Sequence, residues 1–455
     1  MNRFHSSLVI VLAAFFAACN DDFENYSMSP DDVLTFSTDT VAFDTIVSTI
    51  RTPFAAFNIR NTSSKKLLIS SVSLEKGGNF KINVDGRAGD SFSDIEILAK
   101  DSLYVLVAVQ PSENQSDIPT EILDRIVFVT NGVRQTVVLQ AVAQDVEIRK
   151  EIRVTTDSTL NNAKPYLIYD SLVVQAGATL TVSAGSRLYM HPDAEIIVHG
   201  TLQLLGTEEN PVTIRGDRFD QMVGIPYDRI PGQWGGIYFD SESYNNVIEY
   251  AQIRNGSYGL IFAESDPLQP KLTMQNSVLT NFKGMLLRAT NCLMSIENCE
   301  LSNARDGLLT LAGGCYTLSH CTLANYYFSG KAEYGWGNTK DATVFLHDNT
   351  QAAFENCIIW GANYNSTSRI SFAEEAQNLH YTFRNCLFSN EATNDDPTDP
   401  DATIINCIIG EDPKFRIILS PDKNKAEFIY DFRLQEDSPA LLPDGDYIGC
   451  YRIKN

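Results

Sequence analysis

Two stretches of the chain decide its fold: Ile296-Glu297-Asn298-Cys299-Glu300-Leu301-Ser302-Asn303 and, 22 residues later, Leu318-Ser319-His320-Cys321-Thr322-Leu323-Ala324-Asn325. Aligning the chain on itself adds five more copies, at steps of 21 to 36 residues. The copies share one position, here called the bend column: Tyr250, Asn276, Asn298, His320, Asn356, Asn385 and Asn406. The shortest steps set a period near 22 residues, which indicates a solenoid of short repeats.

The residue types around the bend column predict how each repeat folds. Positions two before it and three after it are apolar in all seven copies, and the position one after it holds Ala, Ser or Cys. One strand cannot place all three inward, because side chains alternate with a period of two. The chain must bend at the column, where Asn tolerates left-handed angles. Stacked amides then predict a structural ladder: Asn276, Asn298, Asn356, Asn385 and Asn406.

Apolar inward stacks, Asn at bends and this period resemble the right-handed parallel β-helix, the fold of pectate lyases and many surface proteins. The resemblance covers residues 160–455. Residues 200–214 and 233–239 resemble the sequences of the first rungs of such proteins. The C-terminal residues resemble their terminal cap, which here includes Asp431, Phe432, Arg433 and Leu434. In such proteins the cap covers the last open strand edges. We therefore expect an all-β chain that ends in a capped solenoid.

The first residues predict export. Arg3 precedes the apolar run 8–18, which is too short for a membrane span and is typical of a signal peptide, residues 1–18. Phe16-Ala17-Ala18-Cys19 resembles a bacterial lipobox, which implies a lipid such as palmitate on Cys19; an ordinary signal peptide with an incidental Cys is the alternative. Acidic residues in the tether, 19–33, resemble the surface-export signal of Bacteroidetes lipoproteins. The expected location is the outer membrane, lipid-anchored and exposed at the cell surface.

Residues 34–148 have another pattern. Short runs with period-two alternation are separated by polar or Gly-containing turns, which favours an antiparallel sandwich of about seven strands. Residues 57–63, 67–69 and 135–140 resemble the immunoglobulin-like modules of bacterial surface proteins. No catalytic constellation is recognisable here, so we expect a spacer or interaction module.

Nine cysteines are present. Five of them share the position after the bend column, where a small soft side chain packs well: Cys299, Cys321, Cys357, Cys386 and Cys407. In-register side chains point in parallel, so we expect free stacked thiols and not disulfides. The sequence does not pair Cys292, Cys315 and Cys450.

Composition and motifs exclude several functions. With 35 Lys+Arg against 57 Asp+Glu, the chain lacks the basic footprint of a nucleic-acid partner. The calcium-binding Asp cluster implied by a lyase of this fold does not align, nor do the paired Asp and His-Gly of a polygalacturonase. The acidic insertion with Asp395, Asp396, Asp399 and Asp401 could hold calcium, but a solvated loop is favoured. We expect no cofactor and no metal.

Outward aromatic residues are better candidates for function, because a sugar ring stacks on a flat aromatic face while its hydroxyls form hydrogen bonds. Packing of a loop against the solenoid is the alternative explanation for these residues. The ligand-binding candidates are Trp234, Tyr238, Tyr334, Trp336, Trp360 and Arg369.

Two functions follow from these expectations. One is a non-enzymatic surface protein, held to the membrane by an N-terminal lipid, whose solenoid binds a polysaccharide or an envelope protein. The other is a polysaccharide lyase or glycoside hydrolase acting on the flank of the solenoid. A carboxylate pair, or an acid with a base, on adjacent rungs would favour the enzyme. Aromatic and amide groups alone in a groove would favour binding.

Overall fold

The computed structural model describes residues 25–161, 163–222, 225–327, 343–361, 370–372, 378–389, 395, 403–418, 430–443 and 445–450. These residues are all-β, with strands, one 3-10 turn and no α-helix. No helix in this part of the chain has the length and apolar character needed to cross a membrane. The chain divides into two compact units, Met1–Asp145 and Val146–Asn455.

The first unit has ten strands within residues 25–145. Their bounds are β1 Leu34–Phe36, β2 Thr40–Val47, β3 Ala55–Asn61, β4 Leu67–Leu74, β5 Phe80–Val84, β6 Arg87–Gly89, β7 Ser91–Ile97, β8 Ser102–Val109, β9 Thr120–Thr130 and β10 Val133–Gln144. They form two five-stranded sheets, ordered β1-β3-β8-β5-β6 and β2-β10-β9-β4-β7. Inward residues of both sheets share one core, in which Phe57 and Phe128 pack edge to face.

This unit differs from the sequence expectation in two details. It has ten strands where about seven are predicted, because turns at positive φ, such as the one at Asp85 and Gly86, divide the segment from β5 to β7. The pairing is also mixed, since β2 runs parallel to β10 while the other strand pairs of the unit are antiparallel. Local alternation identifies which residues point inward, but it does not determine strand direction.

The second unit is a long series of short strands. In chain order they are β11 Glu147–Val154, β12 Ser158–Leu160, β13 Tyr166–Val174, β14 Thr179–Ser183, β15 Arg187–Met190, β16 Glu195–Val198, β17 Thr201–Leu205, β18 Val212–Gly216, β19 Gln221–Met222, β20 Ile225–Pro226, the 3-10 turn Tyr227–Arg229, β21 Ile237–Phe239, β22 Asn246–Glu249, β23 Ala251–Arg254, β24 Leu260–Phe262, β25 Pro270–Gln275, β26 Val278–Phe282, β27 Leu287–Thr290, β28 Leu293–Glu297, β29 Glu300–Ala304, β30 Leu309–Ala312, β31 Cys315–Ser319, β32 Thr322–Asn325, β33 Val344–Leu346, β34 Gln351–Glu355, β35 Ile358–Gly361, β36 Ile370–Phe372, β37 His380–Arg384, β38 Leu387–Phe388, β39 Ile404–Ile405, β40 Ile408–Ile409, β41 Phe415–Ile418 and β42 Tyr430–Leu434.

Most of these strands stack in three parallel ladders. Ladder A runs β15-β18-β23-β26-β29-β32-β35-β38-β40. Ladder B runs β16-β21-β24-β27-β30-β33-β36. Ladder C runs β12-β14-β17-β22-β25-β28-β31-β34-β37-β39. A strand of C, then one of A, then one of B make one rung, an arrangement compatible with a β-solenoid.

The bend column lies at the corner between ladders C and A. All seven of its residues have positive φ, between 45° and 53°. That conformation disfavours most side chains but is tolerated by Asn. It allows the residues at −2 and +1, such as Ile296 and Cys299, both to enter the core despite their odd spacing. Ring stacking adds to this core, for example between Phe239 and Phe262, whose centroids lie 4.3 Å apart.

The C-terminal residues pack on the outer side of ladder A. Phe415, Phe432 and Ile448 form a second apolar cluster with Ile358 and Leu387, which point away from the main core. β41 and β42 pair antiparallel at this place. The segment therefore covers the flank of the late rungs with an apolar cluster of its own.

Candidate functional site

A groove opens on the outer side of ladder C, across the strands β31, β34 and β37. Its volume is about 460 Å³. The register places Cys315, Gln351 and His380 at equivalent positions on these three rungs, with Thr317, Ala353 and Thr382 two residues further along each strand. Neighbouring rungs lie roughly 4.8 Å apart, so the groove presents two parallel rows of side chains at that spacing. The described lining residues are Cys315, Tyr316, Thr317, Gln351, Ala352, Ala353, Leu379, His380, Tyr381, Thr382 and Thr403.

The groove follows from the residue sizes on its middle rung. On the outer face, Thr317 and Thr382 stand at equivalent positions before and after Ala353. Ala352 points the other way and is buried in the main core together with Tyr316, so Ala353 is the small residue on the outer face. Short side chains between longer ones leave space, and the outward alternation exposes Gln351, Ala353 and His380 beside it.

The polar groups of the groove are available to a ligand. Three of these groups form no hydrogen bond with any described residue: the side-chain nitrogen of Gln351, the ring nitrogens of His380 and the hydroxyl of Thr382. The thiol of Cys315 lies 3.6 Å from the side-chain oxygen of Gln351, Oε1. No Asp, Glu, Lys or Arg is among the described lining residues. The groove therefore has amide, hydroxyl, imidazole and thiol groups, and no acid and base pair is among its described lining residues.

Two His–Asp pairs lie outside the lining of the groove. His191 Nδ1 is 2.7 Å from Asp217 Oδ2, and His199 Nδ1 is 2.6 Å from Asp240 Oδ2. In both pairs the carboxylate comes from the next rung. A carboxylate accepts, so each Nδ1 donates the hydrogen bond and Nε2 is the other ring nitrogen. The hydrogen bond from His199 lowers the pKa of Asp240.

An ion cluster with one buried member, Arg215, holds the loop after β18 on ladder A. Asp228 Oδ1 accepts from Arg254 Nε at 2.8 Å and lies 2.9 Å from Arg215 Nη1. Burial alone would raise the pKa of Asp228, but the charges of Arg254 and Arg215 hold it below the usual range. Arg215 is only 7% exposed, and burial lowers the pKa of its guanidinium. The cluster closes this flank and does not form an open site.

Trp234 does not point outward as the sequence predicts. It is fully buried in the main core, and its Nε1 donates to the Arg254 carbonyl at 2.8 Å. The expectation is wrong because β21 begins only at Ile237, and the intervening Gly236, at φ 150°, interrupts the alternation. A Cβ at Gly236 would lie 2.3 Å from the ring of Tyr258. Trp234 is therefore a core residue and not available to a ligand.

Tyr238 and Trp360 point away from the core. Tyr238 is half-buried on the outer side of ladder B, between Ile197 and Ile261 of the neighbouring rungs. Trp360, on ladder A, packs against the C-terminal apolar cluster. Trp360 therefore packs a C-terminal segment against the solenoid, which is the alternative to ligand binding given by the sequence. Neither residue lines the groove on ladder C.

The remaining predicted residues lie outside the described residues: Cys19, Tyr334, Trp336 and Arg369, together with Asp396, Asp399 and Asp401 of the acidic insertion. Asp395 is described. Its Oδ2 accepts from the Thr403 and Ile404 amides at 2.7 and 2.9 Å, and these bonds lower its pKa. No group of three or more His, Cys, Asp or Glu in the described part of the chain could hold a metal ion.

The five cysteines after the bend column are buried and free, as the sequence predicts, and Cys292, Cys315 and Cys450 are free as well. Each stacked thiol donates to a backbone carbonyl, such as Cys299 to Glu297 O at 3.1 Å. Burial raises the pKa of Cys299 to about 12. These thiols are core residues, whereas Cys315 is half-exposed in the groove.

The sequence analysis did not identify the groove residues, although the repeat contains the signal. Position −3 from the bend column holds Thr317, Ala353, Thr382 and Thr403 in successive copies, and position −5 holds Cys315, Gln351 and His380. Both positions alternate with the apolar −2 position, so they face outward. A search of these columns for an interruption by a small residue would have located Ala353.

Comparisons with known proteins do not assign a family. No protein-family model matches the chain, and no curated protein is detectably similar to it. The catalytic domain of a GH87 α-1,3-glucanase, solved in complex with tetrasaccharides, is 9% identical over 78% of this chain and 88% of that chain, at a TM-score of 0.17. A PapD-like domain of human CEP192 is 10% identical over 26% of this chain and 88% of that one, at 0.18.

A family 123 glycoside hydrolase from Clostridium perfringens is 10% identical, at a TM-score of 0.17. The match covers 24% of this chain and spans only about a quarter, 25%, of the hydrolase. Similarity at these TM-scores carries no argument about function.

Proposed function

We propose that this chain is a carbohydrate-binding protein of the cell envelope and that the groove on ladder C is its binding site. The observation that carries the proposal is the composition of the groove. Gln351, His380 and Thr382 offer unpartnered polar groups beside the small apolar side chain of Ala353, and no carboxylate is among the described lining residues.

The chemistry of a sugar matches these groups. A hydroxyl both donates and accepts hydrogen bonds, as do the side chains of Thr and Gln and the neutral ring of His. The C–H face of a sugar ring is apolar and can pack on Ala353, which is exposed in the groove. The volume of about 460 Å³ lies in the usual range for small-molecule sites, roughly 300–1,000 Å³.

The binding unit would be a right-handed parallel β-helix, and an immunoglobulin-like sandwich would separate it from the membrane. The support for an anchor is the lipobox-like sequence ending at Cys19. In this proposal a lipid on that residue holds the protein in the outer membrane, at the cell surface. Loss of palmitate labelling in a Cys19→Ala variant is the expected result, and incorporation that survives the change would contradict the anchor.

A glycan array tests the binding function. The expected result is binding by the unaltered chain and loss of binding by Ala353→Trp, which places an indole in the middle of the groove. Thr273→Trp is the matched control, because Thr273 is exposed in the same outward column, two rungs before Thr317 and outside the lining. No binding to any glycan, or equal binding by both variants, would contradict the proposal. Capture of an envelope protein that Ala353→Trp abolishes would replace the glycan with a protein partner.

The His–Asp pairs favour a second candidate, a polysaccharide lyase or glycoside hydrolase. Each pair provides a ring nitrogen that could abstract a proton, which is the requirement for a general base. Incubation with acidic and neutral polysaccharides, followed by assays for new reducing ends and unsaturated products, tests this activity. Turnover that is lost in His191→Ala or His199→Ala would establish the enzyme, and absence of product would exclude it for the substrates used.

A further inference from the structure

We infer that the groove selects uncharged, hydroxyl-rich oligosaccharides and discriminates against acidic ones. The inference rests on the proposed function and adds the class of ligand to it. Its basis is the absence of Asp, Glu, Lys and Arg among the described lining residues. A charged ligand group that enters a groove without a counter-charge loses hydration that nothing replaces.

The surroundings of the groove also disfavour an anion. The chain has a formal net charge of −22, and its summed field repels negatively charged ligands. Acidic sugars are usually recognised by arginine, whose two parallel N–H groups match a carboxylate. The rows of the groove offer Cys315, Gln351 and His380 on one side and Thr317, Ala353 and Thr382 on the other, so none of the described lining side chains provides that fork. Arg384 lies one row further along β37, where the register pairs it with Glu355.

One carboxylate next to the groove, that of Asp395, is already engaged. Asp395 lies behind Thr403, a lining residue, and accepts from both the amide and the hydroxyl of that threonine, at 2.7 and 3.1 Å. A third hydrogen bond comes from the Ile404 amide. With these donors, the carboxylate holds the backbone before β39 in place. A cationic amino sugar would have to compete with them, whereas a neutral sugar leaves them intact.

Calorimetric titration of the full chain with neutral and uronic-acid oligosaccharides of equal length tests the inference. We expect the neutral series to bind and the acidic series to bind about tenfold more weakly or less, a difference of about 1.4 kcal/mol. The affinity for the neutral series should not change between about 50 and 500 mM NaCl, because no charge pair is there to be screened.

A variant that adds the missing charge sharpens the test. Ala353→Arg places a guanidinium on the exposed middle rung, and we expect it to bind the acidic series more tightly than the unaltered chain does, in a salt-dependent manner. Thr273→Arg adds the same charge in the same column outside the groove and should not change the preference. A thermal unfolding scan shows whether both variants fold.

The outcomes separate the inference from the proposed function. Equal or tighter binding of the acidic series by the unaltered chain would overturn the inference, while the groove would remain a carbohydrate site. An acidic preference that Thr273→Arg produces as well as Ala353→Arg would also overturn it, since the effect would then belong to the overall charge. Binding of neither series would overturn the proposed function itself.

Discussion

Asn298 Nδ2 donates a hydrogen bond of 2.6 Å to Asn276 Oδ1, one rung earlier at the same corner of the solenoid. Both residues have φ near 50°. The same side chain therefore relieves backbone strain and links two rungs. These two contributions can be separated by mutation, because Gly accepts the backbone angle but cannot form the hydrogen bond.

Replacing Asn298 with Ala should destabilise the solenoid more than replacing it with Gly. The lost hydrogen bond costs about 0.5–1.5 kcal/mol in both variants. Only Ala adds the strain of a left-handed angle, about 1–2 kcal/mol. Denaturant unfolding followed by circular dichroism measures both. An Ala variant that is as stable as the Gly variant would show that the bend imposes no strain.

His320 interrupts this ladder on the side of Asn298 and offers a stabilising change there, while its Nε2 lies 3.2 Å from Asn356 Nδ2 on the next rung. Asn298 Oδ1 is buried and has no hydrogen-bond partner among the residues that the structure describes, and the next residue in the column is His320. The change His320→Asn provides an Nδ2 donor at that place. We expect the free energy of unfolding to rise by about 0.5–1.5 kcal/mol. A fall instead would show that the ring contact of His320 with Tyr447, at 5.5 Å between centroids, contributes more.

Asp228 should control how firmly the loop after β18 is held. Asp228→Asn removes the charge that compensates the buried Arg215, and we expect a loss of about 1–3 kcal/mol and faster proteolysis within residues 217–231. Asp220→Asn is the control, since Asp220 pairs with the more exposed Arg218.

The pH dependence of this cluster has a definite sign. The folded pKa of Asp228 is lowered, so its contribution to stability is present at neutral pH and is lost only as the pH falls through that folded pKa, below the usual aspartate range. Proteolysis of the unaltered loop should therefore stay constant between neutral and mildly acidic pH. Acceleration at pH 5 to 6 would place the relevant titration on another group.

Lys271 is a buried amine whose Nζ donates to the carbonyls of Asp240 and Ser241. Burial lowers its pKa from 10.5 to about 8. Above pH 8 the unfolded chain binds this proton more tightly than the folded chain does, so stability from this group rises with pH up to about 10.5. Below pH 8 both states carry the proton and the penalty is constant.

We subtract the unfolding free energy of Lys271→Met from that of the unaltered chain. This quantity should rise by about 2–3 kcal/mol as the pH increases over that range. Other titrating groups cancel in this comparison. A difference that does not vary with pH would show that the amine is not desolvated.

The solenoid could be predicted from the sequence because its signal is repeated. Residues at the bend column and at −2, +1 and +3 recur in seven copies, and each copy reports the same inward or outward direction. Trp234 could not be placed in this way, because it precedes a short strand and follows a loop that has no counterpart in other rungs. The outward direction predicted for Trp234 depends on regular alternation through Gly235 and Gly236, and the chain does not alternate there.

The groove could be predicted only in part. Gln351 and His380 occupy regular outward positions, so their direction was predictable. The space beside them was not, because it depends on the sizes of side chains on three adjacent rungs that are separated by 36 and 29 residues in the chain. The ion cluster of Asp228 with Arg215 and Arg254 is similar, since a loop brings the acid to two bases on different strands.

Alkylation of Cys315 is the most direct measurement of whether the groove binds a glycan. Among the described cysteines Cys315 is half-exposed and the other seven are buried. Maleimide should therefore label the Cys315 peptide of the full chain faster than the peptides of those seven, as followed by mass spectrometry near neutral pH.

The account predicts that a saturating neutral oligosaccharide slows labelling at Cys315, with no protection in Ala353→Trp, which cannot admit the ligand. Labelling of Cys315 at an unchanged rate while calorimetry shows the oligosaccharide bound would contradict the account, because the ligand would then occupy another surface of the protein.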